Sequence, residues 1–197
     1  MSDLPKTVSI KEEGPREGFQ IEKGPITTAR KIELIDALSK TGVKQIQIVS
    51  FVSPKVVPQM VDAAEVVKGL TPQPGVSYTG LWFNDQGLDR AIATGRLDIK
   101  GSISLTASAK FLKKNLNRTP EQQLAVTRGM IGTYKERGIP IERATVMAAF
   151  GCNFEGDVPV SRLVELVGQL VEIAAAKGVA LKHMSLGDTM AWATPRA

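Results

Sequence analysis

The 197-residue sequence has one cysteine, Cys152, and one histidine, His183. A lone cysteine excludes an internal disulfide framework and a multi-cysteine zinc site, and fits a reducing compartment. A lone histidine is equally restrictive for any histidine-built metal centre. No apolar run approaches the roughly 20 residues of a membrane span, so no membrane partner is expected. The opening Met1-Ser2-Asp3-Leu4-Pro5 lacks the charged-then-apolar build of a secretory signal, and the expectation is a cytoplasmic protein. The net charge of +5 can help recruit an anionic ligand. The basic residues are nevertheless scattered rather than gathered into a run with aromatics between them, which argues against nucleic acid.

Hydrophobic residues make up 43% and charged residues 23% of the chain, enough for a substantial core and ordinary for a globular protein. No low-complexity linker interrupts the sequence, so residues 1–197 are expected to form a single domain. Short β-branched runs alternate with longer stretches of helical period, the signature of a parallel sheet covered by helices. The strand candidates are Thr7–Glu12, Lys44–Ile48, Val76–Gly80, Lys100–Leu105, Ala144–Ala149 and Leu181–Leu186. A helix is predicted over Thr28–Ser39 with Ile32, Ile35 and Leu38 inward. Another starts at Thr119-Pro120-Glu121-Gln122, where a cap, a first-turn proline and a glutamine three residues after the cap coincide, and runs to about Gly138. In a third, Val160, Leu163, Val164, Val167, Leu170, Val171 and Ala174 recur at spacings of three and four, which predicts one buried stripe. These six βα-type units suit either an open doubly wound sheet or part of an eight-stranded barrel of about 250 residues.

Functional groups gather after the first strand. Gly14-Pro15-Arg16-Glu17-Gly18-Phe19-Gln20 reads as a Gly/Pro-framed turn that sets an arginine beside a carboxylate, at the strand end where (β/α) proteins place their active sites. A fixed cation beside a metal-ligating carboxylate suits enolate chemistry; the plainer reading is a surface ion pair.

Further segments follow in order: Ser50-Phe51-Val52-Ser53-Pro54-Lys55-Val56-Val57-Pro58-Gln59-Met60, Lys113-Lys114-Asn115-Leu116-Asn117, Gly151-Cys152-Asn153-Phe154-Glu155-Gly156 and Ser185-Leu186-Gly187-Asp188-Thr189. Together they resemble the hydroxymethylglutaryl-CoA lyase family, metal-dependent TIM-barrel lyases related to Claisen-type synthases. The resemblance covers nearly the whole chain and implies the first six βα units of a (β/α)8 TIM barrel, incomplete at the C-terminus.

It also implies a carbon–carbon lyase that cleaves a 3-hydroxyacyl-CoA, by a retro-Claisen route, to acetyl-CoA and a keto acid. Arg16 matches the arginine that stabilises the enolate, and Glu17 stands at the place of an aspartate that binds Mg²⁺ or Mn²⁺. Gln47 stands where relatives carry a glutamate. Gln20, Gln47 and Ser50 are the substrate-binding candidates, and Asp188 matches a catalytic carboxylate after strand six, with a helix cap ahead of Thr194-Pro195 as its other reading. Lys113, Lys114 and Asn115 match a loop that contacts coenzyme A, or form a solvated basic loop. Family members often form homodimers. The family's metal-binding His-x-His on strand seven, its asparagine on strand eight and its catalytic cysteine loop have no counterpart here. His183 reads as a lone packed or surface residue and Cys152 as a small packed one. The alternative is therefore a catalytically incomplete acyl-CoA-binding or assembly fragment.

Overall fold

Helices and strands alternate along the chain, as its apolar periodicity requires. The computed structural model describes residues 6–194, and the chain divides into two compact units, residues 1–99 and 100–197.

In the first unit, β1 (Lys11–Glu12) leads into α1 (Gly14–Ile21) and α2 (Thr28–Ser39). Next come β2 (Gln45–Ser50), a 3-10 turn at Pro58–Met60, α3 (Ala63–Gly69), β3 (Ser77–Leu81) and α4 (Asp85–Ala93). The strands lie parallel in the order β1-β2-β3. Ile35 of α2 packs with Ile46, Ile48, Val49, Phe51, Met60 and Tyr78 in the core.

Two expectations are corrected here. The strand expected over Thr7–Glu12 is only Lys11–Glu12, because Val8 and Ile10 are exposed and gain nothing by pairing. The turn expected at Gly14–Gln20 is the helix α1. Pro15 fits its first turn, where a missing N–H has no partner to lose, and Pro15 and Phe19, four residues apart, bury one face.

β2 runs past the expected Ile48 to Ser50, through an irregularity. Gln47 faces Thr79 and Val49 faces Gly80, leaving Ile48 without a partner of its own. Such a bulge breaks strict alternation, and Ile48, Val49 and Ser50 are accordingly all buried in succession.

In the second unit, β4 (Gly101–Thr106), α5 (Ala109–Leu116), α6 (Pro120–Glu136) and β5 (Ile141–Met147) precede a small antiparallel pair, β6 (Gly151–Cys152) and β7 (Gly156–Asp157). α7 (Val160–Ala176) then leads to β8 (His183–Leu186). The parallel order is β4-β5-β8. In both units the parallel strands follow sequence order, as the strands of a (β/α) barrel do.

α6 carries the expected capping box: Thr119 Oγ1 accepts the Gln122 N–H, and Gln122 Oε1 accepts the Thr119 N–H. α7 forms as expected, but its buried face is shifted round the helix. Leu170 and Ala174 of the expected stripe are buried together with Leu166 and Ile173, whereas Val160, Val164 and Val171 of that stripe are 74%, 67% and 50% exposed. Packing against β4 and β5 brings the bulkier Leu166 and Ile173 inward.

Candidate active site

Arg16 and Gln20 stand four residues apart on α1, hence on one face of the helix. Gln47 lies in the middle of β2 and Ser50 at its end. The two pairs meet. Arg16 Nε donates to Gln47 Oε1 at 2.6 Å, and Ser50 Oγ donates to Gln20 Oε1 at 2.6 Å. Arg16 also donates through Nη2 to Glu13 Oε2 at 2.7 Å and through Nη1 to Glu17 Oε2. Its side chain is 14% exposed, so these contacts hold a largely buried cation.

The local sequence explains the arrangement. Glu12 Oε1 accepts the Gly14 N–H at 2.6 Å and satisfies one free donor of the helix start. Glu13, at the N-cap, makes no side-chain capping bond of its own and reaches Arg16 instead. Glu17 in the first turn also suits the positive end of the helix dipole.

The segment after β2 is anchored separately. Lys31, buried on α2, donates to the Gln59 carbonyl at 2.5 Å and to Asp62 Oδ1 at 2.6 Å, while Thr28 Oγ1 donates to Asp62 Oδ2 at 2.7 Å. Gln59 Nε2 donates to the Glu22 carbonyl at 3.1 Å.

The remaining candidates lie in the second unit. Lys113, Lys114 and Asn115 are exposed, but they sit in the last turns of α5 rather than in the expected loop. α5 is amphipathic and capped by Ser108, whose Oγ accepts the Phe111 N–H at 3.0 Å, and this extends order through the basic residues. The Lys114 ammonium lies 4.6 Å from the centre of the Phe154 ring. Asp188 is engaged by backbone: Oδ1 accepts the Trp192 N–H at 2.7 Å and Oδ2 the Ala193 N–H at 3.1 Å. It thus organises a turn, with no helix formed there.

Several residues of this unit went unrecognised in the sequence. Ser108 Oγ donates to Glu155 Oε2, which also accepts the Lys110 N–H at 3.2 Å. The hydrogen bond from Ser108, above all, holds the Glu155 carboxyl below its usual range, against burial, which raises it. Cys152 Sγ donates to Ser108 Oγ at 3.0 Å. Burial pushes this thiol up, but its hydrogen bond with Ser108 and those from the Phe154 and Glu155 backbone outweigh it, and the thiol lies below its ordinary value. The Trp192 ring covers Gly151, where a Cβ would come within 2.6 Å of it, and Trp192 Nε1 donates to Asn153 Oδ1 at 2.8 Å. Long-range pairings of this kind leave no local sequence signal.

Among the described residues, no group of three or more His, Cys, Asp or Glu side chains could hold a metal ion. Glu17 is engaged by Arg16, and His183 is exposed on β8.

The model of the HMGL-like family matches residues 7–197. The chain belongs to the HMGL-like family. The mouse cytoplasmic 3-hydroxy-3-methylglutaryl-CoA lyase is 40% identical over 192 residues, which are 98% of this chain and 53% of the relative. The rat mitochondrial hydroxymethylglutaryl-CoA lyase is 38% identical over 195 residues, 99% of this chain and 57% of the relative. The crystal structure of the Bacillus subtilis HMG-CoA lyase superimposes with a TM-score of 0.84 at 35% identity, covering 98% of this chain and 61% of that one. An HMG-CoA lyase from Acinetobacter baumannii, in complex with coenzyme A and 3-methylmalate, gives 0.82 at 31% identity over 100% of this chain and 61% of that one. The chain therefore spans about half the length of the curated relatives it matches. Its fold class is the (β/α) barrel of these HMGL-like structures, of which it supplies six βα units.

Proposed function

We propose that this chain carries the arginine-bearing part of a hydroxymethylglutaryl-CoA-lyase-like active site, which cleaves a 3-hydroxyacyl-CoA to acetyl-CoA and a keto acid. The observation that supports this reading is Arg16, largely buried at the end of the sheet and held by Gln47, Glu13 and Glu17. In the reaction the 3-hydroxyl loses its proton and the C2–C3 bond breaks. Its electron pair moves into the thioester as an enolate, C3 becomes a ketone, and C2 then takes up a proton. Charge builds on the enolate oxygen, and a permanently charged, preoriented guanidinium stabilises it.

Gln20, Gln47 and Ser50 form the polar wall beside Arg16 and are the residues proposed to orient substrate. Asp188 is the second catalytic candidate, its carboxylate fixed by two backbone donors. Lys113, Lys114 and Asn115 on α5 are proposed to meet the coenzyme A phosphates, as ammonium groups and an amide suit such anions. The proposed setting is the cytoplasm, and the proposed assembly a homodimer; the relatives include both cytoplasmic and mitochondrial lyases. Among the described residues no helix is long and apolar enough to cross a membrane. Mg²⁺ or Mn²⁺ belongs to this reading through the family resemblance, with Glu17 as the ligand this chain offers. The described residues do not by themselves make a metal centre, so no step is derived through one.

The exposed Lys113, Lys114 and Asn115 of α5 also suit a second reading, an acyl-CoA binder without turnover. The test is incubation of the natural protein with hydroxymethylglutaryl-CoA and other 3-hydroxyacyl-CoAs in Mg²⁺ or Mn²⁺, with acetyl-CoA measured by mass spectrometry and binding by calorimetry. Acetyl-CoA release supports the lyase, binding without release supports the binder, and neither result overturns both.

A further inference from the structure

Glu13 occupies an N-cap position yet leaves its helix uncapped, and Glu12 takes over the Gly14 N–H. Its carboxylate lies 2.7 Å from Arg16 Nη2. Gln47, the partner on Nε, is neutral, so among the hydrogen-bond partners of this cation the counter-charge comes from Glu13 and Glu17.

We infer that Glu13 is the positioning residue of Arg16: it pins Nη2, keeps Nε on Gln47, and leaves Glu17 able to exchange partners without setting the guanidinium loose. The inference rests on the reading of Arg16 as the charge-stabilising group. A guanidinium is planar, so two fixed edges define its orientation. Nε on Gln47 and Nη2 on Glu13 are two such edges, and they suffice without Nη1. Glu17 is the more exposed carboxylate, 58% against 49% for Glu13, and sits beside Arg16 in sequence rather than one turn away. Glu13 is thus the permanent counter-ion and Glu17 the exchangeable one. A ligand carboxylate or enolate would meet Arg16 at the edge that Glu17 vacates.

Arginine side-chain proton–nitrogen spectra of the whole chain test this without requiring turnover. In the wild type, Arg16 Nε–H should give a discrete, slowly exchanging signal with its Nη protons resolved. Glu13→Gln, a partly exposed and nearly isosteric change, should speed Nε–H exchange at least about threefold, as expected for loss of a charge-assisted bond, and merge the Nη signals. Glu13→Asp, one methylene shorter, should fall between the two, and Glu17→Gln should leave the Nε–H rate near the wild-type value. Unchanged exchange in Glu13→Gln, or an equal response to Glu17→Gln, would overturn the assignment. If the wild type turns over, Glu13→Gln should lower kcat with little change in KM; a selective rise in KM counts against it. A wild type without turnover defeats the lyase reading, while the spectra still decide the role of Glu13.

Discussion

Arg16 has three of its five N–H donors engaged in the structure, by Gln47, Glu13 and Glu17. Lysine would keep the charge but not the planar fork, so Arg16→Lys should lower the proposed turnover by about 10²–10³-fold, the scale of losing an oxyanion donor, with the fold intact by circular dichroism. Arg16, Glu17, Gln20, Gln47 and Ser50 were singled out in the sequence through the family resemblance, and the structure brings them into hydrogen-bond contact in two pairs and an ion pair, while their roles stand as proposals. Glu13 was not singled out, because an acid ahead of a helix reads as an ordinary dipole partner. Glu155 makes a separate prediction at this scale. Its folded-state pKa is depressed, first by the Ser108 hydrogen bond, so its contribution is present above the unfolded value and lost as pH falls through the folded one. Glu155→Gln should therefore lower the melting temperature near neutral pH, with the gap from wild type shrinking as pH falls below the ordinary carboxylate value and closing only below the depressed folded one. A gap independent of pH would mean that the carboxylate charge is not what matters.

At the scale of elements, α7 shows what periodicity determines and what it leaves open. Val160, Val164 and Val171 share the expected stripe with Leu170 and Ala174, while Leu166 and Ile173 lie beside it, so the sequence specifies the helix without fixing where its inward side is centred. The sheet makes that choice. Leu166, outside the expected stripe, is buried and Val164, inside it, is 67% exposed, which separates the two assignments. Leu166→Ala should cost about 3 kcal/mol and Val164→Ala less than about 0.5 kcal/mol in urea unfolding. The reverse order would restore the valine face as the buried one. α6 was legible to within two residues because its signal is local: Thr119, Pro120 and Gln122 carry the start of the helix in their own hydrogen bonds. β1 was overread for the opposite reason. Val8 and Ile10 have strand-like character, but only burial would turn that into pairing, and both are exposed.

Across the whole molecule, the two compact units each bury their own apolar set. Ile35, Ile46, Ile48 and Phe51 lie in the first, and Leu105, Ile131, Val146 and Leu170 in the second. Each unit is about as long as a small domain, a size at which the loss of one core side chain takes a large share of the available stability. A fully buried isoleucine truncated to alanine costs about 2–5 kcal/mol, which is thirtyfold or more in a local opening equilibrium. Ile35 is fully buried on α2. In native-state hydrogen exchange of the whole chain, Ile35→Ala should therefore speed exchange at Ile46 and Ile48 in β2 by at least about thirtyfold and leave Val146 in β5 within about twofold. Equal acceleration at all three amides would mean that the two cores open as one cooperative body, so that Arg16 and Asp188 sit on a single folding unit. Acceleration confined to the first unit would mean that the arginine site owes its order to residues 6–99 alone.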